Sequence, residues 1–188
     1  MRSICGIFAI LTAFLVSVMP AQTQGVPISY TITGIGSGSI GASPFTSQPF
    51  TLTILADMSN VQLPFPNSYA VNNTSATMQI GAVTTPALAG SSYASTTFFG
   101  YSGGVVGDEI DTFPVYVSAP GLTGYNLQAP VGPLSATPSP AFFLQTDLGY
   151  VTINSFSQVS FQATIPEPTA ALVFAAVALT PICLRRRR

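Results

Sequence analysis

Residues Pro49 to Asp57 read PFTLTILAD, and this stretch decides the fold class. Apolar residues occupy every second position from Phe50 through Leu52 and Ile54 to Ala56, and Thr51 and Thr53 fill two of the positions between them. Because successive side chains of a β-strand point to opposite faces, the alternation predicts a strand with one buried face. SATMQIGAV (75–83) and VTINSFSQVSFQATI (151–165) repeat the pattern, and the second is expected to form a hairpin around a polar turn.

Further β-type runs lie between turns rich in Gly, Pro, Ser and Asn. They are VPISYTIT (26–33), STTFFGY (95–101), FPVYVS (113–118) and GYNLQ (124–128). About eight or nine short strands without a helix-length pattern predict an all-β domain over residues 22–165. The expected architecture is an antiparallel β-sandwich of the jelly-roll or immunoglobulin-like type. APVGPLSATPSP (129–140) is expected to be a rigid Pro-rich loop.

Charge is scarce in this chain and unevenly distributed. Only 6% of the 188 residues are charged, and the basic ones are confined to Arg2 and the terminal Arg185, Arg186, Arg187 and Arg188. A body without cations cannot neutralise phosphates, which excludes nucleic acid as a partner. The two cysteines, Cys5 and Cys183, lie in terminal apolar runs, so the body has no thiol for a disulfide or a metal site.

Both ends of the chain have the character of membrane-directed segments. Residues 1–21 combine one positive charge, an apolar stretch and a small residue, Ala21, which predicts a secretory signal peptide; a retained anchor helix is the alternative. Residues 169–184 carry no charge and predict a transmembrane helix, with the four arginines on the cytoplasmic side. A buried C-terminal core helix is the alternative for this segment.

The tail also carries a family resemblance. Pro166, Glu167 and Pro168, followed by an apolar run and an arginine cluster at the C-terminus, resemble the PEP-CTERM sorting signal of exported bacterial proteins. The tail comprises residues 166–188. The resemblance implies export through the translocon, a transient stay in the inner membrane, and processing near the motif by an exosortase, a membrane transpeptidase. Such proteins typically come from bacteria that make extracellular polysaccharide.

The body is similar to one subgroup of PEP-CTERM proteins. The similar segments are a TGxGSG-type opening followed by PFT (33–46), a segment from Tyr125 to Pro133, and VSFQATIPEP (159–168). This resemblance implies a destination at the cell surface or outside the cell, and it implies no chemistry.

Two short motifs match catalytic or cofactor patterns without the context that those patterns need. Gly36, Gly38 and Gly41 spell the dinucleotide fingerprint, but a strand-like segment follows where a helix is required, so a bulged glycine strand is predicted. Ser102 sits in a G-x-S-x-G pattern, yet the chain has no histidine or lysine to activate a serine. Ser102 is therefore expected to be a turn residue.

An acidic cluster, Asp108, Glu109 and Asp111, is the one concentration of carboxylates in the body. Carboxylates beside a Gly-rich turn suit Ca²⁺, so the cluster is a candidate calcium site, with a solvated loop as the alternative. A carboxylate-pair hydrolase could draw on the same cluster together with Asp57 or Asp147. No other cofactor is expected.

These features lead to one main hypothesis and two rivals. The main hypothesis is an exported, non-enzymatic protein of the cell surface or extracellular matrix, sorted through its tail. The first rival is a carbohydrate-binding module for extracellular polysaccharide that uses exposed aromatic rings as stacking platforms. The rings come from Tyr93, Phe98, Phe99, Tyr101 and Tyr125, of which the three tyrosines are the site candidates. The alternative is that these rings belong to the core, and at least one of Phe98 and Phe99 should, since neighbours on a strand face opposite ways. The second rival is a calcium-dependent hydrolase.

Overall fold

The computed structural model describes residues 25–87, 90–102 and 115–166. Those residues form twelve β-strands and two single 3-10 turns, at Met58–Asn60 and Pro120–Leu122. The strands are β1 Pro27–Ile40, β2 Ser43–Asp57, β3 Gln62–Phe65, β4 Ser68–Ile80, β5 Val83–Ala87, β6 Ser91–Ser95, β7 Phe98–Ser102, β8 Val115–Ser118, β9 Val131–Ser135, β10 Thr137–Pro138, β11 Phe142–Thr146 and β12 Gly149–Thr164. The prediction of an all-β antiparallel domain is confirmed.

Six of the strands close into a small barrel. The order around the ring is β4, β2, β1, β12, β11 and β5, and β5 returns to β4. The ring closes through one register pair between β5 and β11, Ala87 with Thr146, beside a backbone bond from Asp147 N–H to the Pro86 carbonyl at 3.4 Å. The predicted sandwich is not confirmed, because pairing of β5 with both neighbours seals the ring instead of leaving two open sheets.

The remaining strands extend the sheet beyond the barrel. Residues 68–72 of β4 leave the ring and pair with β6, and the sheet continues through β7 and β8 to β10. β3 pairs with the other side of the same part of β4. β9 pairs with the end of β12, at residues 160–163. This outer sheet covers one end of the barrel wall, because the inward rings of its strands pack on β1 and β12.

The core contains two groups of aromatic rings. In one, Phe99 of the outer sheet lies 5.0 Å from the ring of Tyr30 and 4.6 Å from that of Phe161. In the other, inside the barrel, Phe50 and Phe156 pack against Phe142. Burying a large aromatic side chain contributes about 1.5–3 kcal/mol, so these rings account for a large share of the stability.

The predicted alternation is confirmed in the strands that form the barrel. In β2 the buried residues are Phe50, Leu52, Ile54 and Ala56, and in β4 they include Ala76, Met78 and Ile80. The glycine-rich stretch is a bulged strand as predicted, since the register of β1 shifts between Gly36 and Gly38. At Gly36 a Cβ would lie 2.5 Å from the Ile153 Cγ2, so close packing against β12 requires glycine there.

Four sequence-based expectations about the strands are wrong. Residues 149–164 form the single strand β12 and no hairpin, because its polar middle stays paired with β1. Two register shifts interrupt this pairing, one at Gln158 (φ 53°) and one between Ile153 and Ser155. The GYNLQ segment is a turn that follows the second 3-10 turn. The Pro-rich segment holds β9 and β10 and is not a loop. Ser102 ends β7 and is not in a turn.

Candidate functional site

The outer sheet presents one face to the core and the other to solvent. In β6 the side chains of Ser92 and Ala94 are buried, whereas those of Ser91, Tyr93 and Ser95 lie on the opposite side and are half-buried. In β8, Val115 and Val117 are buried and Tyr116 is exposed. We call the solvent side of β3, β4, β6, β7 and β8 the outer aromatic face.

Tyr93 lies at the middle of one row of this face. The register places Ala70 of β4 on one side of it and Gly100 of β7 on the other. The row continues to Gln62 of β3 and to Tyr116 of β8, which is 37% exposed. Both cross-strand neighbours of Tyr93 are small, since one is alanine and the other glycine.

A second row adds two phenylalanines. It runs from Phe65, which is 70% exposed, through Ser68 and Ser95 to Phe98 and Ser118. The ring of Phe98 meets that of Tyr116 edge-on, with centroids 6.4 Å apart. Among the described residues, the face therefore carries four aromatic rings separated by alanine, glycine and serine.

A cleft of about 220 Å³ opens beside Tyr93. It lies between the first 3-10 turn, β3, β4 and β6, and its lining residues are Asn60, Gln62, Pro64, Ala70, Val71, Asn72, Ser91 and Tyr93. On its wall the Ser91 hydroxyl donates to the Asn72 amide oxygen at 2.9 Å. Amides and hydroxyls both donate and accept hydrogen bonds, so the cleft can pair with a ligand that does the same.

The described residues of the cleft and of the outer aromatic face carry no charge, and the nearest described carboxylate is that of Asp57. None of the residues that line the cleft is charged. Asp57, next to the 3-10 turn, accepts hydrogen bonds from the hydroxyl and the backbone N–H of Ser59 at 2.7 and 2.9 Å. These bonds, with that of the Ser59 hydroxyl the larger cause, hold the pKa of Asp57 below its usual value. The lining of the cleft itself therefore offers a ligand amide and hydroxyl groups and no charged group.

The structure separates the three predicted stacking residues. Tyr93 lies on the outer aromatic face, but Tyr101 and Tyr125 are 0% and 8% exposed and belong to the core. Burial raises the pKa of Tyr101 to about 12, and it raises the pKa of Tyr125 further, with Tyr30 nearby adding to that rise. As a correction, the burial of Tyr101 and Tyr125 favours structural roles and removes them as stacking platforms.

Other predicted sites fall outside the described ranges. The acidic cluster (Asp108, Glu109, Asp111), the signal peptide, the apolar tail helix, Glu167, Pro168 and the four terminal arginines all lie there. Pro166 is described and exposed, two residues after β12 ends. Among the described residues no three His, Cys, Asp or Glu side chains come together as a metal site. The same residues include no helix whose length and apolar character would let it span a membrane.

The described carboxylates do not form a catalytic pair. Asp57 pairs with Pro27 at the start of β1, whereas Asp147 lies in the turn before β12. The start of β12 pairs with the end of β1, as Val151 with Ile40 shows. The two carboxylates thus lie at opposite ends of the barrel, too far apart to act together on one bond.

Sequence reasoning missed several residues of this surface. Tyr116 alternates with Val115 and Val117 within FPVYVS, and this alternation already indicated an exposed tyrosine. The amides of Asn60, Gln62 and Asn72 had no local signal, because three separate segments bring them together. In the comparisons with known proteins, no family model, no curated protein and no solved structure matches this chain.

Proposed function

We propose that the protein is an exported, non-enzymatic surface protein that binds neutral polysaccharide through the outer aromatic face. The observation that carries the proposal is the position of Tyr93, which lines an uncharged cleft and is flanked by Ala70 and Gly100. A sugar ring offers C–H groups on its faces and hydroxyls around its edge. An aromatic ring beside amides and hydroxyls complements both.

The charge of the chain decides which polysaccharides suit the site. Between Arg2 and Arg185 there is no lysine, arginine or histidine, so no cation within the body can pair with the carboxylates or sulfates of an acidic glycan. A neutral glycan carries no such groups, so it has no charge whose desolvation would oppose binding to an uncharged surface. The proposed ligand class is therefore neutral polysaccharide.

Export and sorting through the tail are part of the proposal. The support for them is the PEP-CTERM-like sequence at 166–188 together with the position of Pro166, which is exposed directly beyond the last strand. Thr164 pairs with Ser29 and Asp57 with Pro27, so both described chain ends leave from the same end of the barrel. A membrane tether at either end would leave the opposite end of the barrel far from the membrane.

The packing of the outer sheet supports a finer description of the fold. Phe99 lies between this sheet and the barrel wall and contacts rings on both β1 and β12. Two sheets that face each other across shared aromatic rings are typical of a sandwich. We therefore propose that this half of the molecule is sandwich-like, with the closed barrel as its continuation.

Binding to immobilised neutral polysaccharides tests the proposed function. The wild-type protein is expected to be retained on at least one of a panel of insoluble β-glucan, β-mannan and α-glucan. Tyr93→Ala should lower the affinity at least tenfold, by about the cost of removing a central aromatic contact. Phe143→Ala, which removes an aromatic ring of 52% exposure from β11, is the matched control and should bind like the wild type. Failure of the wild type on the whole panel, or equal retention of Tyr93→Ala, would contradict the proposal.

Cell fractionation tests the sorting part separately. A chain truncated after Pro166 keeps every described strand, so its body should fold while its processing and final location change. A second variant replaces Arg185 to Arg188 by alanine, which keeps the length of the tail and removes its charge, and its processing and location should change as well. Unchanged processing and location of the truncated chain would rule out sorting through this tail.

A further inference from the structure

Two tyrosines of the outer aromatic face lie on either side of the same residue. Gly100 of β7 pairs with Tyr93 on one neighbouring strand and with Tyr116 on the other. Directly paired residues share a face, so both tyrosines and Gly100 lie on the same side of the sheet, where Gly100 itself is buried and Tyr116 is exposed. Neighbouring strands lie about 4.8 Å apart, which places the backbones of Tyr93 and Tyr116 about 9.6 Å apart.

A third ring lies diagonally between the two tyrosines. Phe98 pairs with Ser95 and Ser118, each two residues along its strand from a tyrosine of the first row. Its ring contacts that of Tyr116 edge-on. Tyr93, Phe98 and Tyr116 therefore form one aromatic strip that crosses β6, β7 and β8 at right angles to the strands.

The cleft joins this strip at one end only. It contains Tyr93 together with residues of β3, β4 and the 3-10 turn, and neither Phe98 nor Tyr116 lines it. The surface thus has a polar part, rich in amides, and an aromatic part that leads away from it. A compact ligand could fill the polar part, but only an elongated one could contact both parts at once.

We infer that the site takes a linear neutral oligosaccharide, longer than a disaccharide, laid across the strands from the cleft towards Tyr116. The inference rests on the proposed polysaccharide binding. One sugar unit binds in the cleft beside Tyr93 and hydrogen-bonds with the amides of Gln62 and Asn72. A more distant unit of the same chain packs against Tyr116. Branched glycans without an extended run of sugar units can contact either the cleft or the aromatic strip, but not both at once.

This arrangement gives the two tyrosines different dependences on chain length. Tyr93 contacts ligands of every length, because it belongs to the cleft. Tyr116 contacts only ligands long enough to cross β7. The affinity should therefore rise from disaccharide to hexasaccharide. Removal of the Tyr116 ring should make this rise smaller.

Calorimetric titration of the protein purified after export provides the test. The probes are β-1,4-linked glucose, β-1,4-linked mannose and α-1,4-linked glucose oligomers, each from disaccharide to hexasaccharide. For the series that binds, Tyr116→Ala should lower the hexasaccharide affinity about tenfold and leave the disaccharide affinity unchanged. Tyr116→Phe keeps the ring and should restore the hexasaccharide affinity, and Tyr93→Ala should weaken every length.

The outcomes separate this inference from the proposal beneath it. Affinity that is independent of length, with Tyr116→Ala equal to the wild type on the hexasaccharide, would overturn the inference and leave polysaccharide binding standing. No binding in any of the three series would overturn both. Thermal unfolding of each variant is the folding control; Tyr116 is partly exposed, so the melting temperature of its variants should stay close to that of the wild type.

Discussion

The hydroxyl of Tyr30 donates a hydrogen bond to the backbone carbonyl of Leu127 at 2.8 Å, across 97 positions of the chain. Both side chains are fully buried. Leu127 adopts φ 63°, a left-handed conformation that is costly for a residue with a Cβ. The bond ties the first barrel strand to the turn that follows the second 3-10 turn, and it helps to hold that strained residue in place.

Removal of this bond should destabilise the fold. Tyr30→Phe keeps the ring and leaves the Leu127 carbonyl buried without its donor, which costs about 1–2 kcal/mol. The matched control is Tyr125→Phe, because the buried Tyr125 hydroxyl finds no hydrogen-bond partner among the described residues. That variant should unfold within about 0.5 kcal/mol of the wild type, or be more stable. Urea unfolding measures both, and equal losses in the two variants would contradict the assignment of the bond.

Alkaline solution should weaken the fold within a definite pH range. Burial raises the pKa of Tyr101 from the ordinary value of 10.0 to about 12 and raises that of Tyr30 as well. Above pH 10 the unfolded chain loses phenol protons that the folded chain retains, so the free energy of unfolding falls as the pH rises from 10 through 12. Below pH 10 these groups leave it unchanged.

Urea midpoints and phenolate absorbance, measured on the same samples, check this pH dependence. The midpoint should fall above pH 10, and part of the phenolate signal should appear only on unfolding. Tyr30→Phe has one buried phenol fewer and should lose less stability over the same range. Complete ionisation of all tyrosines near pH 10 in the folded protein would show that these hydroxyls are not buried.

Replacing each of the two adjacent phenylalanines of β11 by alanine should change the stability by very different amounts. Phe142 is fully buried and packs against Phe50 and Phe156, whereas Phe143 is 52% exposed on the other side of the strand. Phe142→Ala opens a cavity in the barrel and should cost about 3–5 kcal/mol. Phe143→Ala should change the stability by less than about 0.5 kcal/mol. Because one residue of register shift would exchange the two results, thermal and urea unfolding of the pair test the register of β11.

An engineered disulfide should report on the closure of the barrel. Ala87 and Thr146 are directly paired, and paired residues have Cα atoms about 4.5–5.5 Å apart, within the range that a disulfide bridges. With Cys5 and Cys183 replaced by serine, Ala87→Cys and Thr146→Cys should form a bridge under mild oxidation and leave no free thiol by titration. Ala87→Cys with Tyr150→Cys, one strand further away, is the control that should stay reduced. Two free thiols in the first variant would mean that the ring is open.

The parts of the fold that follow from local pattern were predictable. Phe50, Leu52 and Ile54 alternate within one strand, so their burial follows from a period of two residues and needs no distant contact. The closure between β5 and β11 was not predictable, because it depends on one pair 59 positions apart, Ala87 with Thr146, and no local pattern encodes it. The polar middle of β12 resembled a turn for the same reason: its pairing with β1 is a long-range property.

The candidate site shows the same division. Tyr93 was predictable as a candidate, but the sequence could not distinguish it from Tyr101. Which face of the sheet a residue lies on depends on how its strand pairs with its neighbours, and the local sequence does not show that. Tyr101 lies two residues from the buried Phe99 and shares its inward face, whereas Tyr93 pairs with Gly100 on the outward face. The cleft is assembled from β3, β4, β6 and a 3-10 turn, and only the folded chain brings these together.

Amide chemical shifts, recorded as a neutral hexasaccharide that binds is added, test the central claim most directly. Binding across the outer aromatic face predicts shifts that begin at Gln62 and Asn72, continue through Tyr93 and reach Tyr116. The exposed aromatic residues of the β11–β12 hairpin, Phe143 and Tyr150, should keep their positions. Shifts confined to that hairpin would contradict the account, as would a spectrum that no neutral oligosaccharide changes.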